Sequence, residues 1–300
     1  MTFRYTLHSK SNYTRFLYNQ VLNKMTFLGS GLLLFLILNA CSKSPDLSDA
    51  SGLKLEIWSQ GKPIVCSQFV RDQQKWQQTW DIQQLAFFIS DIHVVNESNS
   101  QNIALLPSHW QTSEVVLIQP NLTDCAEQPV TEQDVKAGFQ SGPEILDHNT
   151  NIIFNAPVDL EGAQTLAFSL GVPFDDNHQN PLTQPSPLNL PSMFWSWRSG
   201  HKFFRVDLVD KKHNWVFHLG SVGCIAASAM RSPQTECVQP NRFDFELSKK
   251  QDGSRLILHL DKLLAGMSLQ DSKSCLFHGE QQNCDVLMAN LANNAVFEWQ

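Results

Sequence analysis

Residues 204–208 read Phe-Arg-Val-Asp-Leu, and residues 215–219 read Trp-Val-Phe-His-Leu. In both stretches every second residue is apolar, and residues 243–247, Phe-Asp-Phe-Glu-Leu, repeat the pattern. Successive side chains of a β-strand point to opposite faces of the sheet, so a two-residue period is typical of strands with one buried face. The three stretches therefore predict strands that share a core.

The rest of the chain after the N-terminal segment carries the same kind of signal. Further strands are predicted at 53–58, 85–95, 115–118, 152–154 and 166–170. Helical periodicity is confined to 286–297, and the longest loop, 173–193, contains five prolines. A loop of that length is usually functional or disordered. Together these features predict a mostly β fold, an antiparallel β sandwich with long Pro/Asn-rich loops.

The N-terminus carries a targeting signal. Residues 1–24 contain basic residues and no acidic one, and an apolar run at 27–38 follows. This order is that of a secretory signal, and the run is shorter than the roughly 20 residues that a transmembrane helix needs. The signal ends at Leu38-Asn39-Ala40-Cys41.

A cysteine after Leu-x-Ala resembles the bacterial lipobox, in which the cysteine thiol is lipidated after cleavage. Ordinary cleavage, with Cys41 there by chance, is the alternative. The residue after Cys41 is Ser42 and not Asp. By the usual bacterial sorting pattern this predicts transport of the lipoprotein to the outer membrane. We therefore expect an exported protein with a signal peptide at 1–40 and a tether at 41–52, lipid-anchored at the outer membrane and facing the periplasm.

The charge of the mature chain argues against a nucleic-acid partner. The first 40 residues hold four of the 22 Lys and Arg and none of the 29 Asp and Glu, so the mature part has a net charge of −11. Nucleic-acid binders carry basic surfaces instead.

Six cysteines follow the lipidated one: Cys66, Cys125, Cys224, Cys237, Cys275 and Cys284. An even set in an oxidising compartment predicts disulfides, which would stabilise the fold. Proximity along the chain favours Cys224–Cys237 and Cys275–Cys284, which leaves Cys66 with Cys125. A thiolate metal site is the alternative, but the chain has no Cys-x-x-Cys pair.

Motifs of enzymatic catalysis are missing from the sequence. There is no Gly-x-Ser-x-Gly, no His-Glu-x-x-His and no phosphate-binding loop. We therefore expect no enzymatic turnover.

Histidine and tryptophan are the other candidates for function. Imidazole suits copper, zinc and nickel, and His178 and His218 stand in suggestive stretches, although a structural histidine is the alternative for each. Trp195 and Trp197 form a dense cluster with Met193 and Phe194. Packing of the protein interior is the plain interpretation of that cluster. Stacking on a glycan or a protein partner is the sharper one, and it would make the chain an outer-membrane binding lipoprotein.

Several motifs in a fixed order resemble those of a known family. They are Gly171-Val172-Pro173-Phe174, Asn177-His178, Pro187-Leu188-Asn189-Leu190, Met193-Phe194-Trp195-Ser196-Trp197, Gly200-His201-Lys202-Phe203, Arg205-Val206-Asp207, His218-Leu219-Gly220-Ser221, Gly223-Cys224 and Cys237-Val238-Gln239-Pro240-Asn241-Arg242. In order and spacing the chain resembles the MbnP-like copper-binding proteins, also called the metallo-mystery pair four-Cys motif family.

The resemblance implies an exported β-rich protein that binds copper. In that family a diheme cytochrome c peroxidase-type partner oxidises one tryptophan to kynurenine, whose aryl amine joins histidines around one copper ion. Carried over to this chain, the metal ligands would be His178, His218 and the product of Trp110, with Trp195 and Trp197 as competitors for the modified position. The four family cysteines would be Cys66, Cys125, Cys224 and Cys237.

Two positions and one segment depart from the family pattern. His201 stands where the family commonly has Tyr, and His93 stands where it often has Arg. Residues 248–300, with Cys275 and Cys284, lie outside the resemblance. We therefore expect a copper-binding β domain at 53–247 and a C-terminal extension at 248–300 with its own disulfide.

Overall fold

The computed structural model describes residues 51–73, 76–96, 99–122, 148–269, 274–277 and 284–300. All of them belong to one compact unit, Asp49–Gln300. The predicted signal peptide, the predicted lipidation site Cys41, nearly all of the predicted tether and Cys125 lie outside the described residues. None of the helices in the described ranges is both long and apolar enough to span a bilayer.

The larger of two main sheets has nine strands among the described residues. They are β3 (Gln68–Gln73), β4 (Trp76–Val95), β5 (Ser100–Asn102), β6 (Val115–Ile118), β8 (Thr165–Leu170), β11 (Phe204–Val209), β12 (Asn214–Leu219), β13 (Phe243–Ser248) and β15 (Cys275–Leu276). Their order in the sheet is β13-β8-β4-β11-β12-β15, with β3, β5 and β6 also paired to β4. Every pairing is antiparallel except that of β12 with β15.

The smaller sheet contains β1 (Gly52–Ser59), β2 (Lys62–Pro63), β7 (Asn151–Ile153), β14 (Arg255–His259) and β16 (Phe297–Trp299). Their order is β16-β14-β1-β2, and β7 pairs with β1. A separate two-stranded ribbon joins β9 (Phe194–Ser196) to β10 (Gly200–His201). Helices are short: α1 (Phe174–Asn177), α2 (Leu260–Leu263), α3 (Asp285–Ala292) and one 3-10 turn at Pro191–Met193.

The predicted mostly β fold is confirmed, and all eight predicted strands form. The largest difference is at β4, which begins at Trp76, nine residues before the predicted start. Trp80 and Ile82 in that part are buried. The intervening glutamines and Asp81 made the stretch read as polar, but pairing with β3 and β11 extends the strand through it.

The predicted helix at 286–297 is only partly correct. Helix α3 ends at Ala292, and Phe297–Trp299 form strand β16 instead. Asn293 is the C-cap of the helix. Asparagine competes with the helical backbone through its own hydrogen bonds, and pairing with β14 then favours the extended chain.

The C-terminal residues are built into the sandwich. Phe297 of β16 contacts the rings of Phe87, Phe168 and Phe245 in the larger sheet, at centroid distances of 6.0, 5.2 and 4.8 Å. Strand β14 pairs in parallel with β1, near the start of the domain. The segment that the resemblance set apart, 248–300, therefore contributes strands to both main sheets.

Two predicted disulfides are present, Cys224–Cys237 and Cys275–Cys284. Cys66 is also disulfide-bonded, and its predicted partner, Cys125, lies outside the described residues. The pairs within the described part of the chain are thus the two that proximity favoured.

Candidate metal centre

The loop that follows β8 holds the most distinctive polar cluster of the fold. Pro173, with its fixed φ, precedes the single turn of α1, whose last residue is Asn177. The turn is closed by a hydrogen bond from the Asn177 backbone N–H to the Pro173 carbonyl. Asn177 and His178 are thereby placed next to each other in the interior, and both are almost fully buried.

The amide of Asn177 has one consistent orientation. Its Oδ1 accepts a hydrogen bond of 2.7 Å from the His201 backbone N–H. Its Nδ2 must therefore donate, and it lies 3.1 Å from His178 Nε2 and 3.3 Å from Ser221 Oγ. Asn177 thus connects three segments that are distant in sequence.

The same contacts determine the tautomer of His178. Its Nδ1 lies 3.0 Å from the carbonyl oxygen of Trp197, so Nδ1 must carry the proton and donate it. Nε2, which faces the donating amide of Asn177, therefore keeps its lone pair. Burial lowers the pKa of His178, and the hydrogen bond to Trp197 offsets this only in part. The imidazole is thus held neutral, and the lone pair of Nε2 accepts the hydrogen bond from Asn177.

Two sulfur atoms adjoin that nitrogen. His178 Nε2 lies 3.5 Å from Cys237 Sγ. His178, Cys224 and Cys237 each offer one potential ligand atom, and these three atoms lie within 4.8 Å of one another. They form the metal-ligand group found among the described residues. The sulfurs are joined in a disulfide, and metals bind thiolates, not disulfides. In this oxidised form His178 is therefore the competent donor of the group.

His201 lies against the other side of Asn177. It is fully buried, with Phe88 and Phe194 edge-on to its ring. Its Nε2 is 2.8 Å from the Leu188 carbonyl oxygen, so this nitrogen donates. Burial lowers the pKa of His201 to about 4, against the raising effect of its backbone hydrogen bonds. His201 is thus a buried packing residue, and its backbone N–H holds Asn177 in place.

Acid is expected to destabilise the fold through His201. The folded protein binds this proton less readily than the unfolded chain, so the stabilisation is complete above about pH 6.5 and is lost as the pH falls towards 4. The advantage of the wild type over His201→Gln in free energy of unfolding should shrink by about 1.4 kcal/mol per pH unit between pH 6 and 4.5. Urea unfolding at several pH values measures this difference. The prediction is contradicted if the free energies of unfolding of the two proteins depend on pH in the same way.

His218 lies in a different environment, on β12 opposite Arg205 of β11. Its Nε2 is 2.6 Å from Asp207 Oδ1, so this nitrogen donates to the carboxylate. Arg205 also donates to Asp207. Burial disfavours the Asp207 carboxylate, but the hydrogen bonds from His218 and Arg205 prevail and lower its pKa. A carboxylate-bound histidine is typical of metal ligands, and it leaves Nδ1 as the nitrogen of His218 that could bind one.

The ligand group around His178 does not include His218. Trp110 packs against the core with its ring edge-on to His109. Trp197, in contrast, bonds His178 through its carbonyl. The Trp195 ring lies against Gly220, two residues after His218: a Cβ on Gly220 would be 2.5 Å from Trp195 Cζ3. The segment Trp195–Trp197 therefore touches the surroundings of both histidines.

The sequence alone indicates neither the role of Asn177 nor the position of the Cys224–Cys237 disulfide beside His178. Asn177 stood in the quoted Asn177-His178 motif. Its buried contacts to residues 201 and 221 depend on how the loops pack. Nothing in the spacing of Cys224 and Cys237 relates them to a residue 46 or more positions earlier.

Comparison with known proteins agrees with the motifs. The sequence model of the family described as MbnP matches residues 51–277. A solved structure, MbnP from Methylosinus trichosporium, superposes with a TM-score of 0.62 at 17% identity, covering 83% of this chain and 97% of that one. No curated protein matches the sequence. The match to the family model spans most of the chain, and the chain therefore belongs to the MbnP family.

Proposed function

We propose that this protein is a lipid-anchored, periplasm-facing copper-binding protein that performs no turnover of its own. The observation that carries the proposal is His178, a buried neutral imidazole whose Nδ1–H donates to the Trp197 carbonyl, so that Nε2 keeps a lone pair, which accepts from Asn177. Neutral imidazole is a good ligand for copper. Membership of the MbnP family supports copper as the metal.

His178 would supply Nε2 to the copper ion, and His218 would supply Nδ1. The Trp197 carbonyl orients the first imidazole, and Asp207 orients the second. Such outer partners set ring orientation and raise ligand basicity. When bound, copper would bring the capacity to exchange one electron, and the neighbouring side chains would hold the imidazoles in place for it.

A modified tryptophan is the third proposed ligand. The indole nitrogen is a poor ligand because its lone pair belongs to the ring. Two equivalents of peroxide, used by a diheme peroxidase-type partner, would break the indole C2–C3 bond, leave one oxygen atom on each carbon and release two waters. Hydrolysis would then release formate and free an aniline nitrogen. The Trp195 ring lies beside Gly220, near His218, and the Trp197 backbone carbonyl accepts from His178, and this proximity favours Trp195 or Trp197 over Trp110.

Copper binding is expected to depend on His178. In His178→Gln the amide can still donate to the Trp197 carbonyl, but the neutral nitrogen ligand is gone. Loss of an outer-shell partner alone costs about 10–100-fold in metal affinity, so loss of the ligand should cost at least about 100-fold. Equilibrium competition with a copper chelator, on protein co-expressed with the haem partner, measures the affinity.

His213→Gln is the matched control, because His213 is half-exposed and is held by Asp210 in the turn between β11 and β12. It should bind copper like the wild type. His218→Gln separates a shared site, which it would weaken, from a site on His178 alone. Unchanged copper affinity in His178→Gln, together with no kynurenine mass change in any tryptophan peptide, would refute the proposal.

A further inference from the structure

We propose that reduction of the Cys224–Cys237 disulfide creates a second metal-binding state of this loop cluster, in which two thiolates and His178 Nε2 bind Cu(I). The proposal goes beyond the copper site described above, because it requires neither an oxidised tryptophan nor His218. It assigns a function to the sulfur pair that adjoins the buried histidine.

The geometry of the three donors supports a shared ion. With metal–sulfur distances of about 2.3 Å and metal–nitrogen distances of about 2.0 Å, the 120° angle of a three-coordinate ion separates nitrogen and sulfur by about 3.7 Å. His178 Nε2 and Cys237 Sγ are 3.5 Å apart. These two atoms are thus already close to the separation that a common metal ion requires.

After cleavage of the disulfide only the Cys224 sulfur has to move. Two thiolates on one three-coordinate ion lie about 4.0 Å apart by the same geometry. Cys237 is 5% exposed and held in the interior. Cys224 is half-buried and borders an open cavity of about 190 Å³. The space for the movement is therefore on the Cys224 side.

The chemistry of the donor set selects a soft ion. Thiolates favour Cu(I) and zinc over harder cations, and imidazole suits both. Nε2 of His178 is already unprotonated, because Nδ1–H donates to Trp197 and Asn177 donates to Nε2. Binding would replace the Asn177 hydrogen bond by a coordinate bond and would not require a proton to leave the imidazole. Two thiolates and one nitrogen satisfy a three-coordinate Cu(I) ion.

Access favours attack by a dithiol reductant at Cys224. Arg198 and Ser199 line the same cavity, which gives an incoming thiolate a cationic neighbour. That thiolate would bond to Cys224 Sγ, the S–S bond would break, and Cys237 would leave as a thiolate. The second thiol of the reductant then displaces Cys224, so the reductant ends as a disulfide and the protein gains two electrons. Binding of Cu(I) takes both thiolates, and their protons pass to water.

The other disulfide whose two cysteines both lie among the described residues provides an internal comparison. Cys275 and Cys284 are both almost completely buried. Neither belongs to a metal-ligand group within the part of the chain that the structure describes. Reduction and metal capture should therefore distinguish the two pairs.

The test uses the full chain, purified in detergent, in its oxidised form and after treatment with a phosphine reductant that is then removed without air. Each form is titrated with Cu(I) supplied as its acetonitrile complex, and near-ultraviolet thiolate-to-copper charge transfer is recorded. The reduced wild type should bind one more Cu(I) per chain than the oxidised wild type, and binding of this additional ion should produce the charge-transfer absorption. Cys275→Ser/Cys284→Ser, the matched control, should keep this increment.

Variants decide which residues hold the additional ion. Cys224→Ser/Cys237→Ser should lose the increment, and His178→Gln should weaken Cu(I) binding by the reduced protein at least tenfold while circular dichroism shows a folded chain. No increment on reduction, or an increment that persists in Cys224→Ser/Cys237→Ser, would overturn the proposal. Copper binding by the oxidised protein tests the proposed function separately, so the two ideas can fail independently.

Discussion

Gly200→Ala is expected to lower the free energy of unfolding by about 4 kcal/mol, a loss that few single substitutions reach. Gly200 has φ +74°, a conformation that costs an L-residue about 1–2 kcal/mol. A Cβ there would also lie 2.5 Å from both Cγ and Nδ2 of Asn177. Asn177 is buried and bonds three other residues, so it has no room to move away. Urea unfolding, followed by circular dichroism, measures the loss.

Gly61→Ala separates the backbone effect from the clash. Gly61 has the same φ of +74°, but a Cβ there would meet no atom within 4 Å. This control should lose only about 1–2 kcal/mol. If Gly200→Ala is equally mild, the packing of residue 200 on Asn177 is not rigid. The same displacement of Asn177 should weaken copper binding in Gly200→Ala and leave it unchanged in Gly61→Ala.

Phe297→Ala is expected to destabilise the protein by about 3–5 kcal/mol, as is typical for a buried phenylalanine. Phe297 lies on an edge strand of the smaller sheet, and its ring contacts three phenylalanines of the larger sheet. Removal of the ring leaves a cavity between the sheets. Thermal and chemical unfolding should show one cooperative transition at lower stability.

Val286→Ala on α3 is the control for this prediction, because Val286 is 41% exposed in the same C-terminal segment. Its cost should stay within about 0.5 kcal/mol, as for most surface positions. A loss below about 1 kcal/mol in Phe297→Ala, or a separate early transition, would mean that residues 248–300 behave as an appended extension and not as part of the core.

Much of the fold could be predicted because local patterns agree with the tertiary structure. In strands β11 and β12 every second residue is apolar and buried, and in β13 Phe245 and Leu247 are buried while Phe243 is half-buried. Short sequence separation identified Cys224–Cys237 and Cys275–Cys284. The early part of β4 and the end of α3 were missed, since pairing with distant strands overrides weak local preference there.

The candidate site was predictable only in part. His178 and His218 could be singled out by the motifs that surround them, and both have a defined hydrogen-bond partner. Their environments differ, however, in a way that spacing does not reveal. One imidazole adjoins an amide and two sulfurs in the interior, and the other adjoins an aspartate and an arginine on the sheet.

The sequence by itself determined the strand pattern, the cysteine pairs close in the chain and the family motifs, because each depends on residues within a short stretch. Only the tertiary structure decided the tautomer of His178, the burial of His201 and the place of residues 248–300 in both sheets. These features arise where segments far apart in the chain meet, and hydrogen bonding and burial at such contacts depend on the packing of all of them together.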